Sequence, residues 1–213
     1  MRIVFLFIFF SGLVGCDDRP LVNSKEYLEL HGIVNGKENF IEVGKTKFTI
    51  PSEINVQVET YGEIKKGKAD VLRLYLDYSN LIEDWSSSSS RVRVEVRHFG
   101  DNSHTKSDGE ANKKTSILTG NKTNSGLIEL PVEGPAGGWS FKRFIAPLEE
   151  EDPEVGNLVL NCSGVPETGV NQCWGGYRKG TIDIWIFLSG RLLPYWRQVI
   201  LRTDQEIESM IRE

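Results

Sequence analysis

Apolar and polar positions alternate with a period of two over much of this chain, and that pattern predicts strands with one wet face. Ile54, Val56 and Val58 alternate with polar neighbours, as do Leu72, Leu74 and Leu76, and Val92, Val94 and Val96. Residues 40–43 and 47–50 flank Gly44-Lys45-Thr46 and read as a hairpin that Pro51 terminates. Strand character returns in residues 127–130, 139–145 and 158–162. It is strongest where Ile182, Ile184, Ile186 and Leu188 face one way and Asp183, Trp185 and Phe187 the other. Aromatics on its second face make that strand central and covered. After Ser189-Gly190 the period changes: Leu193, Trp196, Val199, Ile200, Ile207, Met210 and Ile211 recur at helical spacing, with Pro194 tolerated in the first turn. Residues 26–31 read as a brief helix or an extended lead-in, residues 100–126 as a long polar excursion or a weak hairpin, and Ser86 through Ser90 as a flexible turn. The fold expected is α+β, a mostly antiparallel sheet of about eight strands with a C-terminal amphipathic helix packed on it.

The first residues follow a different pattern. Arg2 precedes an apolar run from Ile3 to Phe10, and Leu13-Val14-Gly15-Cys16 follows. A short positive segment, a brief apolar core and small residues before a cut site mark a secretory signal, and the core is too short for a bilayer of about 30 Å. Leu13 to Cys16 resemble the lipobox of bacterial lipoproteins. That resemblance implies cleavage after Gly15, a diacylglyceryl group on the Cys16 sulfur and a third acyl chain, such as palmitate, on its amino group. At roughly 0.8 kcal/mol per buried methylene, several chains would hold the protein on a membrane. The competing reading is an ordinary cleaved signal with a chance cysteine. The expected organisation is a signal peptide over 1–15, a lipidated tether over 16–25 and a single periplasm-facing α+β domain over 26–213. Asp17 favours the inner membrane if the enteric sorting rule applies.

Charge and cysteine content narrow the function. The chain has 213 residues, 25 basic against 30 acidic, and a net charge of −5. That balance disfavours nucleic acid and anionic lipid as partners. Basic residues are scattered singly through the strand-like segments, as on solvated sheet faces. With Cys16 assigned to lipid, Cys162 and Cys173 remain as a pair in an oxidising compartment, which predicts a disulfide. Two buried thiols or a metal pair are the alternatives, but the nearest histidine in sequence is His104.

Most candidate chemistry fails on spacing. Gly44-Lys45-Thr46 ends like a phosphate-binding loop, yet Asn39 stands where its first glycine belongs and a strand follows where a helix is needed. Gly138-Trp139-Ser140 begins like a nucleophile elbow, but Lys142 occupies the final glycine position. His31, His98 and His104 form no metal-ligand pattern. Glu149, Glu150, Glu151 and Asp152 repel one another as a solvated run and lack the alternation and glycine of a calcium loop. No cofactor or metal and no enzymatic activity is expected.

Two binding candidates remain. Glu149, Glu150, Glu151 and Asp152 would steer a basic protein partner, or merely solubilise. Trp174 and Tyr177, beside a loop stapled by Cys162 and Cys173, suit an interface anchor, or fill core space next to the disulfide. The Phe48-Thr49-Ile50-Pro51 opening, the alternating leucines, the late cysteine pair and Leu192-Leu193-Pro194-Tyr195-Trp196 resemble uncharacterised lipoproteins found beside secreted toxins of type VI secretion systems. That resemblance implies an immunity protein, periplasm-facing, that binds and blocks a secreted effector. The expected function is therefore a membrane-anchored, non-enzymatic protein-binding module of the cell envelope, with a structural or assembly lipoprotein as the alternative. An enzyme acting on a small cell-wall substrate would need convergent polar residues that the sequence does not reveal.

Overall fold

A computed structural model describes residues 20–81, 90–98, 119–131, 140–147, 149–150, 153–156, 158–165 and 169–212. The expected signal peptide, Cys16, Asp17, His104, Glu151 and Asp152 lie outside the described residues, as do residues 100–118 of the polar excursion.

Helix α1 (Lys25–Leu30) starts where Ser24 Oγ accepts from the Tyr27 N–H at 3.1 Å, so residues 26–31 take the helical alternative. His31, fully buried, closes its end: Nδ1 lies 2.9 Å from the Tyr27 carbonyl and Nε2 3.0 Å from Thr60 Oγ1. Strands β1 (Asn39–Val43) and β2 (Thr46–Ile50) form the expected antiparallel hairpin. Gly44 turns it with φ +63°, in the left-handed region that side chains resist. Its Cα packs so closely on His98 that a Cβ there would lie 2.1 Å from the ring.

The remaining strands are β3 (Val56–Glu59), β4 (Lys68–Ala69), β5 (Val71–Asp77), β6 (Arg91–His98), β7 (Asn121–Lys122), β8 (Ile128–Leu130), β9 (Ser140–Ile145), β10 (Val159–Val165), β11 (Gly169–Lys179), β12 (Ile182–Ser189) and β13 (Ile211–Arg212). They form two sheets rather than the one expected: β13-β2-β1-β4, in which β1 and β4 run parallel, and an antiparallel sheet of nine, β3-β5-β6-β12-β11-β10-β9-β8-β7. The strand over 182–189 lies inside the large sheet, between β6 and β11, as expected of a strand with aromatics on its second face.

Three boundaries differ from expectation. The segment around Cys173 is part of an 11-residue strand, not a loop. Gly175 and Gly176 disguise it, being residues of low β-propensity whose missing side chains let the carbonyls of Val159 and Ile184 approach. Pro194 sits in a 3-10 turn (Gly190–Tyr195), and the following α-helix, Trp196–Met210, is separated from Pro153–Gly156 (α2) by three strands; we number it α3. Ile211 leaves the helix to pair with Phe48 across β13 and β2.

Val56, Val58, Leu72, Leu74, Val94, Val96, Ile184 and Ile186, all solvent-free, form one face of the large sheet. Helix α3 packs there with Trp196, Val199, Ile200, Thr203, Ile207 and Met210 buried. Tyr78 fixes it, its hydroxyl 2.7 Å from Thr203 Oγ1 and donating to the Val199 carbonyl at 3.2 Å. Lys179 Nζ adds an ion pair with Asp204 at 2.7 Å. Ile41, Val43, Phe48 and Ile50 of the small sheet join the same hydrophobic cluster.

Candidate functional site

The opposite face of the large sheet carries the other half of each alternation. In β6, Val92, Val94 and Val96 enter the core, which leaves Arg91, Arg93, Glu95 and Arg97 on the far side. Register then assembles these residues with those of distant segments. Gln57, Arg73, Glu95 and Trp185 form one cross-strand row, and Tyr75, Arg93, Phe187 and Trp174 the next. Singly scattered arginines thus become one arginine and aromatic surface.

Glu95 organises it. Only 3% of this residue is exposed, and its carboxylate accepts from Arg73 Nε at 2.9 Å and from Arg97 Nη2, with Arg93 Nε 3.5 Å away. Arg73 also donates through Nη2 to Glu59. Burial pushes the Glu95 carboxyl up, but the hydrogen bonds and charges of Arg97 and Arg73 outweigh burial and hold it below the ordinary carboxylate value. Burial likewise favours loss of the Arg73 proton, and Glu95 and Glu59 overcome it, so the guanidinium is held more firmly charged. The Arg93 guanidinium carbon lies 3.8 Å over the Phe187 ring and that of Arg97 5.9 Å over Trp185. These cations supply the cover that the central strand's aromatics need. Tyr75 is oriented by a hydrogen bond from its hydroxyl to Gln57 Oε1 at 3.1 Å.

At one end of this surface lies an open groove of about 600 Å³ lined by Tyr75, Arg91, Arg93, Asn171, Gln172, Phe187, Leu188 and Ser189. Its charged lining is two arginines and no acid. Arg93 Nε is shielded from solvent yet makes no hydrogen bond. A second groove of about 480 Å³, bordered by Glu42, Tyr61, Glu63, Lys65, Lys68 and Asp70, neutralises itself: Lys68 pairs with Glu42 at 2.8 Å and Lys65 with Glu63 at 3.4 Å.

The residues singled out from sequence are spread over the fold. Cys162 and Cys173 stand directly opposite each other in β10 and β11, are solvent-free and form a disulfide with Cα atoms 4.0 Å apart. Trp174 is half-buried in the Arg93 and Phe187 row, whereas Tyr177, three residues along the strand, points into the core at 1% exposure and donates to Asp204 at 3.2 Å. The two aromatics therefore lie on opposite faces and do not converge. Glu149 pairs with Lys122 at 2.8 Å, and that hydrogen bond holds its carboxyl below the ordinary range. Glu150 is held by both ends of the Arg197 guanidinium at 3.0 and 2.9 Å, which leaves its side chain 6% exposed. It ties the segment before α2 to helix α3.

Arg73, Arg91, Arg93, Arg97, Glu95 and Phe187 are the residues that inspection of motifs misses. One signal did exist: Arg91, Arg93, Glu95 and Arg97 alternate with three valines, a pattern of one apolar and one uniformly charged face. Its partners on β5, β11 and β12 are set only by register.

No family model and no curated protein sequence matches the chain. Among solved structures it is similar to an immunity protein of the Stenotrophomonas maltophilia type IV secretion system, at 11% identity and a TM-score of 0.47, over 83% of this chain and 94% of that one. It is also similar to the Neisseria meningitidis iron-regulated outer membrane lipoprotein FrpD, at 11% identity and a TM-score of 0.37, over 86% of this chain and 95% of that one. At this identity neither neighbour assigns a role to any residue here.

The described histidines are engaged in packing: His31 in its two hydrogen bonds, and His98 against the Gly44 turn. Ser140 opens a strand instead of a strand-to-helix turn. Among the described residues no three His, Cys, Asp or Glu side chains are grouped to hold a metal ion, and no helix is long and apolar enough to cross a membrane.

Proposed function

We propose that this chain is a membrane-anchored envelope lipoprotein that acts as a non-enzymatic protein-binding module, its specific role being immunity against a secreted toxin. The observation that carries the reading is the arginine and aromatic face held rigid by Glu95. Arginine and aromatic side chains are the types that dominate binding energy at protein interfaces, and ordering them before contact lowers the entropy lost on association. Glu95, the buried carboxylate of this face, is kept ionised by its arginines, which suits a fixed electrostatic brace and not a proton shuttle near neutral pH. The Cys162 and Cys173 bridge fixes two strands of the same sheet, and the Leu13-Val14-Gly15-Cys16 sequence supports an anchored address outside the cytosol.

Two measurements test this reading. Mass spectrometry of the native protein is expected to find a diacylglyceryl group on Cys16; an intact leader or an unmodified thiol would overturn the anchor. Affinity purification of the solubilised full chain is expected to recover one stoichiometric effector, whose toxicity in the periplasm the chain suppresses. Recovery of constitutive envelope components instead would favour an assembly role, and turnover of a cell-wall or lipid substrate by the purified chain would overturn the non-enzymatic reading.

A further inference from the structure

We infer that the groove at the Arg91 and Arg93 end of the large sheet is a docking site for an acidic, extended polypeptide segment of the partner. This rests on the protein-binding reading and names the chemistry that the site accepts. It also reverses the polarity suggested by the acidic run, whose described members Glu149 and Glu150 are already paired with Lys122 and Arg197.

Charge complementarity carries the argument. In a chain of net charge −5, this groove holds two guanidiniums and no carboxylate. The acids beside them give their hydrogen bonds to other donors. Glu95 gives its hydrogen bonds to Arg73 and Arg97 and reaches Arg93 Nε only as an ion pair at 3.5 Å, and Asp77, across the ladder from Arg91 and within its electrostatic reach, accepts from the Ser79 N–H at 2.8 Å. No hydrogen bond joins Arg91 or Arg93 to a carboxylate among the described residues, and Arg93 is pinned over Phe187 with its Nε 3.5 Å from Glu95 but in no hydrogen bond. A guanidinium fixed by stacking presents its remaining N–H groups in a planar fork that matches a carboxylate.

Spacing selects the form of the ligand. Arg91 and Arg93 are two residues apart on one strand face, which sets their Cα atoms about 6.5–7 Å apart. An extended segment with acidic residues at alternate positions repeats that distance, and its intervening side chains meet solvent or the Tyr75 and Phe187 rings according to which way the segment lies. Gln172 adds an amide suited to peptide groups at the groove's border. Long polyanions fit poorly, because two cations neutralise few phosphates and the chain's acidic balance repels the rest. Within a Debye length of about 8 Å the local arginines outweigh that background, so docking is short-range and unsteered.

The test titrates the full-length chain, in detergent, into a fluorescein-labelled octapeptide that alternates glutamate with leucine. Companion probes are the lysine–leucine peptide and a single-stranded oligonucleotide. Fluorescence anisotropy is expected to show binding of the glutamate peptide alone, weakened by salt. Arg91→Gln and Arg93→Gln are each expected to weaken it about tenfold, the size of one charge-assisted contact, and Arg212→Gln on β13 to leave it unchanged. Arg91 is solvent-exposed, so its variant keeps the test valid if Arg93→Gln disturbs the sheet. Equal or tighter binding of the lysine peptide or the oligonucleotide, or unaltered affinity in both groove variants, overturns the inference. A native partner retained by the double variant would sink the acidic groove while leaving the protein-binding reading in place. Peptide binding without any native partner would do the reverse.

Discussion

Glu95 is the residue whose replacement most directly tests the arginine face. Glu95→Gln keeps the shape and removes the charge, so Arg73 and Arg97 lose a carboxylate that is 3% exposed. Breaking a fully buried pair costs about 3–5 kcal/mol. Here the loss is smaller, because Arg73 keeps Glu59 and the Arg97 side chain is 40% exposed and rehydrates. One amide oxygen still accepts, while the new amide N–H groups face guanidinium donors. The balance is about 2–3 kcal/mol, from two charge-assisted hydrogen bonds partly replaced. With a urea dependence near 2 kcal/mol per molar, the unfolding midpoint at pH 7 should fall by about 1–1.5 M. The effect has a definite sign with pH. The folded carboxyl lies below its ordinary 4.5, so its stabilisation is fully present above that value and disappears as pH falls through the lower folded value. The gap between wild type and variant should therefore close below pH 4.5. An unchanged midpoint at pH 7, or a gap that persists undiminished in acid, would refute the account of Glu95 as a desolvated, ionised brace.

Gly44→Ala combines a side chain at φ +63° with a Cβ 2.1 Å from the His98 ring. Urea unfolding should show a loss above the roughly 1–2 kcal/mol expected from the left-handed conformation alone, because the His98 ring and Cβ must both shift; a loss no larger than that would show that His98 moves aside without cost. Replacing Cys162 and Cys173 with alanine together removes a cross-link spanning 11 residues, worth about 3 kcal/mol in chain entropy. Thermal melts should shift down by about 6–10 °C, and a melt unchanged from wild type would show that the bridge contributes nothing to stability.

The sequence by itself determined those strands that alternate and which of their faces is apolar, though not β4, β11 or β13. Val92, Val94 and Val96, or Ile182, Ile184 and Ile186, can bury one side only by alternating, so their period is visible without a structure. It also determined the β1–β2 hairpin, through a local turn, and the core of the terminal helix, through its 3.6-residue spacing. Tertiary structure alone decided how those faces were joined. Gly175 and Gly176 read as loop until neighbouring carbonyls explain why no side chain fits there. Ile211 matches the helical period yet pairs with Phe48, because β2 offers an unfilled edge at the point where the helix ends. Above all, Arg73 and Arg93 belong to segments that local pattern cannot relate to Trp174, Phe187 or Trp185. Alternation fixes a residue's face within its own strand. Only long-range register, set by burial of the opposite face, decides which residues become neighbours on the exposed one.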